Sequence, residues 1–220
     1  MENTFTQSRR WIYKAVIFLS INGGFVNSMT FESFFHNPVG YVTGNITFAA
    51  DYLVNFKIAN FIDMILAVGA FLLGSIISGL IIPYNNFRRN NNYNILFTLE
   101  AVLIALGMIG LIFDIDTSKY LLAMALGLQN SASTFYGSSI IRTTHMTGTM
   151  TDLGIVLAHR FLKGHDIPNW RIFIYCFLIC GFFIGSILGI ICFKLIGYYG
   201  LSLSVIACIA MIRFKILKHE

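Results

Sequence analysis

The chain has 220 residues, 56% of them hydrophobic and only 11% charged, with a net charge of +5. A soluble domain carries roughly twice that charged fraction, so the composition excludes a water-solvated surface and leaves lipid as the solvent. The basic residues lie between apolar runs rather than along one stripe, which argues against a nucleic-acid partner.

The first apolar run, about 11–31, follows Arg9 and Arg10 and contains Lys14. Ser8-Arg9-Arg10-Trp11 has the look of a twin-arginine export signal, but no small-residue cleavage site follows and more apolar runs do. A retained span with a cytoplasmic basic anchor is therefore expected. Further runs lie at about 61–82, 94–113, 118–138, 171–193 and 196–213. All but the last, which is short, are near the length a bilayer requires. Pro38, Pro83 and Pro168 fall at their edges, and Asn85 to Asn94, with Arg88 and Arg89, reads as a loop.

Two segments fit less simply. Residues 41–56 and 145–158 are helical in pattern but short, and they carry Thr43, Asn45, Asp51 and Thr147, Thr149, Asp152. Treating both as re-entrant places Arg9, Arg10, Lys14, Arg88, Arg89, Arg142, Arg160, Lys163, Arg171, Arg213, Lys215 and Lys218 on the cytoplasmic side. Only Lys57, Lys119 and Lys194 then face outward. Eight full spans would put Arg88 and Arg89 outside, so the charge bias favours six. The expected fold is an all-α integral membrane protein with six transmembrane helices plus two short or re-entrant helices. Residues 1–220 form one membrane domain, with both termini cytoplasmic.

The pattern also repeats. Asn27-Ser28 matches Asn130-Ser131, and Thr43-Gly44-Asn45 matches Thr147-Gly148-Thr149. Ala70, Gly74 and Ser78 match Gly181, Gly185 and Gly189, each 111 residues later. Two internal repeats follow, about 11–113 and 118–213, inverted if each crosses three times and parallel if four. The small-residue stripes suit close helix packing.

A Thr-Gly step before an apolar helix reads as a hydroxyl cap followed by a flexible residue. Buried in lipid, two such tips would offer unpaired N–H groups and positive dipole ends to an anion or a polar solute. At the membrane surface they would be ordinary caps. Asn27, Gln129 and Asn130 are amides within apolar runs, suited to holding helices together or to lining a polar path. Glu100 lies several residues into a span, where a carboxyl is costly and points to function, unless it is near enough to the cytoplasmic edge to stay wet. Arg142 would neutralise an anion or set topology, and His145 is read as structural. Cys176, Cys180, Cys192 and Cys208 form neither a CxxC nor a Cys/His cluster. No catalytic motif, metal set or cofactor fingerprint is present, so neither an enzyme nor a cofactor is expected.

With those residues in view, the chain resembles the YoaK family (DUF1275) of bacterial multi-pass membrane proteins. The likeness runs over about 12–213 and is carried by Tyr41-Val42-Thr43-Gly44-Asn45, Leu126-Gly127-Leu128-Gln129-Asn130-Ser131 and Arg142 to Thr149. It implies a bacterial inner-membrane location and about six spans, and no established substrate. Many members carry aspartate where this chain has Asn27, so proton coupling there is not expected here. The function expected is a small-solute permease. Its site would comprise Thr43, Gly44, Asn45, Thr147, Gly148, Thr149, Asn27, Gln129, Asn130 and Arg142. Its partners would be the lipid bilayer and a small polar or anionic solute. A non-transporting membrane scaffold is the alternative.

Overall fold

The structure is a computed structural model that describes residues 9–33, 38–82, 92–136 and 142–213. All regular elements among them are helical. They are α1 (Arg9–Ser33), α2 (Val42–Val54), α3 (Ile58–Ile81), α4 (Asn92–Ile112), α5 (Lys119–Tyr136), α6 (Met146–Leu157), α7 (Asn169–Ile196) and α8 (Leu201–Arg213). Each matches an expected apolar run or short segment to within a few residues. The expected Asn-rich loop lies outside the described residues up to position 91, and its last residues open α4. Lys215 and Lys218 also lie outside them.

Among the described residues three stretches are long and apolar enough to cross a membrane: Ile58–Ile81, Asn92–Ile112 and the 45 residues Asn169–Arg213. The last is broken by a 3-10 turn at Gly197–Gly200, where Gly197 takes a φ of 60°, a region that side chains avoid. α1 and α5 are punctuated by Ser20, Asn22 and Ser28 and by Gln129, Asn130 and Ser133, which lowers their apolarity. The 13-residue α2 and 12-residue α6 reach only about 18–20 Å, short of a hydrocarbon core of about 30 Å.

The residue pattern is inside out. On α3 the buried face is Met64, Ala67, Ala70, Gly74 and Ser78, while Leu72, Leu73, Ile76 and Leu80 are exposed. α7 likewise buries Gly181, Gly185 and Gly189 and exposes Phe183, Ile184, Ile187 and Leu188. Large apolar groups outside and small ones inside suit helices that meet by backbone contact within lipid.

Those contacts fix the chain directions. Gly181, Gly185 and Gly189 of α7 lie against the carbonyls of Ile17, Ile21 and Phe25, so α1 and α7 run parallel. A Cβ on Gly74 of α3 would sit 2.0 Å from the Met124 carbonyl oxygen, and one on Gly127 of α5 2.0 Å from that of Phe71. Asp63 near the start of α3 meets Lys119 at the start of α5, so this pair is parallel too. α1 and α5 run antiparallel, with Asn22 bonded to Gln129 and Asn27 close to Leu126 around Gly40. α4 returns against α5 through Gly107 on Leu122 and Gly110 on Ser118.

The two close-contact pairs share one geometry. Gly24 lies on the Phe182 carbonyl as Gly127 lies on that of Phe71, and Gly185 lies on that of Ile21 as Gly74 lies on that of Met124. The Ser75 hydroxyl donates to the Gly127 carbonyl at 3.1 Å, and that of Ser186 donates to the Gly24 carbonyl at 3.4 Å. Positions on α1 and α5 in these pairs differ by 103, and positions on α3 and α7 by 111.

Candidate functional site

α2 and α6 begin in the same way. Tyr41 precedes α2 with φ −87° and ψ 64°, and His145 precedes α6 with φ −91° and ψ 64°. Asn45 N donates to the Tyr41 carbonyl at 2.8 Å, and Thr149 N donates to that of His145 at 3.1 Å. No side chain caps either end. This corrects the expected role of the Thr-Gly steps. Thr43 and Thr147 already lie inside the helix, so their hydroxyls cannot reach back over the first turn as a cap must. The glycines instead make room for rings. A Cβ on Gly44 would sit 1.9 Å from the Tyr41 ring, and one on Gly148 2.3 Å from the His145 ring.

The chain reaches each tip by the same bond. Gly40 N donates to Asn27 Oδ1 at 3.0 Å, and Thr144 N donates to Asn130 Oδ1 at 3.1 Å. Each asparagine sits in the adjoining long helix and holds the turn or bend by which the chain enters the short one. An amide oxygen satisfies an N–H that would otherwise be orphaned away from water.

Both tips open on one cavity of about 890 Å³. Asn27, Thr43, Asn130, Arg142 and Thr147 line it, with Tyr41, His145, Ser75, Ser131 and the matched rings of Phe71 and Phe182. Five of the ten expected site residues thus meet there. The other five do not. Gly44 and Gly148 lie under the rings, and Thr149 is buried with its hydroxyl on the His145 carbonyl at 2.9 Å. Asn45 is buried and lines a separate cavity of about 310 Å³, with Asn45 Oδ1 unpartnered. Gln129 is fully buried behind the large cavity.

Gln129 belongs to a network that sequence reasoning did not assemble. Asn22 Nδ2 donates to Gln129 Oε1 at 2.8 Å and to Glu100 Oε1 at 3.2 Å, and Asn22 Oδ1 accepts from the Ser204 hydroxyl at 2.6 Å. Gln129 Nε2 donates to the Leu19 carbonyl at 3.0 Å and to Thr143 Oγ1 at 2.9 Å. Thr143 Oγ1 donates to Asn130 Oδ1 at 3.2 Å, and Asn130 Nδ2 donates to Thr144 Oγ1 at 2.7 Å. Glu100 is 1% exposed rather than wetted at a membrane edge, with the Cys208 thiol beside its carboxyl and Oε2 without a partner. Asn22, an amide midway along an apolar run, was the available sequence signal.

The smaller cavity lies between α2, α3 and the start of α5. Asp63 accepts from Lys119 Nζ at 2.5 Å and from the Tyr120 hydroxyl at 2.5 Å. Lys119, one of the three cations expected on the outward side, is buried in this ion pair. Phe48 lines both cavities. Among the described residues no group of three or more His, Cys, Asp or Glu could hold a metal ion.

Long apolar helices packed through small residues, around cavities that carry a few polar groups, are those of an all-helical protein with membrane-like helices. The chain belongs to DUF1275, a family of proteins of unknown function, whose family model matches residues 15–213. No curated protein and no solved structure matches it.

Proposed function

We propose that the chain is a small-solute permease of the bacterial inner membrane, built from two inverted repeats at about 11–113 and 118–213. Each repeat contributes three crossings and one re-entrant helix. The observation that carries this reading is the cavity walled from both repeats by matching tips, Asn27 and Thr43 on one side and Asn130 and Thr147 on the other. Its depth supports the same reading. Phe71 and Phe182 each lie 13 residues into α3 and α7, about 20 Å along helices at least 36 Å long. That is near mid-depth, where broken helices of inverted-repeat carriers meet their solutes.

Chain direction supports inversion. α1 opposes α5, so the helix that opens one repeat runs against the helix that opens the other. With α1 entering from the cytoplasm, both termini are cytoplasmic, and α2 dips in and returns on the outer side. The smaller cavity then lies on the outer side. The matching place on the inner side holds Val16, Ile174 and Leu178, packed with Tyr13, Trp170 and Phe177. A cavity that carries Asp63, Lys119 and Asn45 on one side and an apolar plug on the other suit an outward-facing carrier. The scaffold alternative calls for a dry interior, and the polar groups that line the two cavities favour the permease over it.

Arg142 and the uncapped helix starts favour an anionic or strongly polar solute. The test is uptake of a panel of inorganic anions and small carboxylates into proteoliposomes. Flux above that of empty vesicles is expected, falling tenfold or more in Thr43→Val and Thr147→Val. Arg142→Gln is expected to depress anion flux more than flux of neutral polyols. Flux unchanged by both threonine substitutions would remove the tips from the mechanism.

A further inference from the structure

We propose that Glu100 is a proton-binding site coupled to the large cavity, which makes the permease proton-driven; the proposal rests on the permease reading. Three features of the geometry carry it. The carboxyl is 1% exposed, Oε1 has a single amide donor at 3.2 Å, and Oε2 has no partner. No lysine, arginine or histidine pairs with it among the described residues. A carboxylate in that setting would be an uncompensated charge in hydrocarbon, whereas the neutral acid fits. The groups facing it are accounted for on every side. α1 presents the Asn22 amide, α5 presents Gln129 one bond further on, and α8 presents the Cys208 thiol, the one titratable neighbour. α3 presents no titratable group to it. Asp114 and Asp116, in the turn after α4, lie roughly 20 Å along that helix.

Coupling follows from how fully the amides are used. The two N–H bonds of Asn22 Nδ2 go to Glu100 and Gln129, and Oδ1 is held by Ser204. When Glu100 loses its proton to water, the carboxylate demands a second strong donor. The nearest amide proton is the one that holds Gln129. Taking it frees Gln129 Oε1, and Gln129 is the residue that fixes Thr143 and, through it, Asn130 in the cavity wall. Reprotonation from water restores the original set. The Glu100 O–H is the one covalent bond that breaks and re-forms, its proton leaving to and returning from water, while the Asn22 N–H changes only its acceptor.

The full chain in lipid nanodiscs tests this without any solute. Hydrogen exchange of residues 142–149 is followed across a pH series in the wild type and in Glu100→Gln, which keeps the shape and cannot ionise. As pH rises, exchange in the wild type is expected to increase about tenfold more than in Glu100→Gln, the weight of one buried hydrogen bond. The pH-difference infrared spectrum is expected to show a protonated-carboxyl band that Glu100→Gln lacks. Should Glu100→Gln not fold, Glu100→Asp must shift the band. Matching exchange in the wild type and Glu100→Gln at every pH, or an infrared band unmoved by Glu100→Asp, overturns the proposal. A failed flux assay would leave this result standing, and a flat pH series would leave the permease standing.

Discussion

α3 carries three interior glycines that differ in what surrounds them, which makes it a controlled experiment on helix approach. A Cβ at Gly74 would sit 2.0 Å from the Met124 carbonyl oxygen and 2.9 Å from the Leu128 nitrogen, where ordinary contact begins at 3.4 Å. α5 would have to retreat by more than an ångström, and its backbone cannot bend away as a side-chain tip could. The Ser75–Gly127 bond at 3.1 Å would be lost with the retreat. Forced overpacking of this kind costs about 1–3 kcal/mol. Gly69 and Gly79 lie in the same helix, and a Cβ on either meets nothing within 4 Å. There the substitution only trims unfolded-state freedom and is worth about 0.4–1 kcal/mol of added stability. Gly74→Ala should therefore fall about 1.5–4 kcal/mol below Gly69→Ala and Gly79→Ala in reversible unfolding from mixed micelles. Gly185→Ala on α7, 2.1 Å from the Ile21 carbonyl oxygen, should behave like Gly74→Ala. Equal stability of Gly74→Ala and Gly69→Ala would refute the close approach of α3 and α5.

Two further outcomes are expected. Asp63→Asn or Lys119→Met alone should cost about 1–3 kcal/mol, less than a fully buried pair because the Asp63 side chain is 23% exposed. The double substitution should recover part of that loss in a double-mutant cycle, and strict additivity would deny the pairing. Gly148→Ala should push the His145 ring off its rotamer at a cost of about 0.5–1.5 kcal/mol, because the ring can swing aside. Its flux should nonetheless drop severalfold, since that ring lines the large cavity; wild-type flux would show the ring to be idle.

What the sequence discloses follows from what is local. Apolar runs mark the helices, since lipid demands the same composition along a whole turn, and the shortness of 41–56 and 145–158 marks α2 and α6. Asn27, Thr43, Asn130, Arg142 and Thr147 stand out as polar exceptions, and they meet at one cavity. The Thr-Gly steps do not cap because Tyr41 and His145, two residues before each threonine, hold the N-cap positions, and the apolar pattern does not flag those rings. Adjacency groups Asn45 with Thr43, yet a residue two positions further around a helix faces another way. The Glu100–Asn22–Gln129 bonds join residues 78 and 107 apart in sequence, and periodicity carries no information about pairing at that range. The pairing of Lys119 is not legible either, because its acid, Asp63, lies in a different helix 56 residues earlier.

The parallel embrace of α1 with α7 and of α3 with α5 bears on how the protein is made. α1 leaves the ribosome with a row of small and polar groups whose matching surface has yet to be translated, some 160 residues downstream. Until α7 emerges, Ser20 and Gly24 lack the surface they pack on, and neither half of the chain can mature before the other. Expressed as separate fragments, residues 1–113 and 114–220 should yield assembled protein only when both are present during biogenesis.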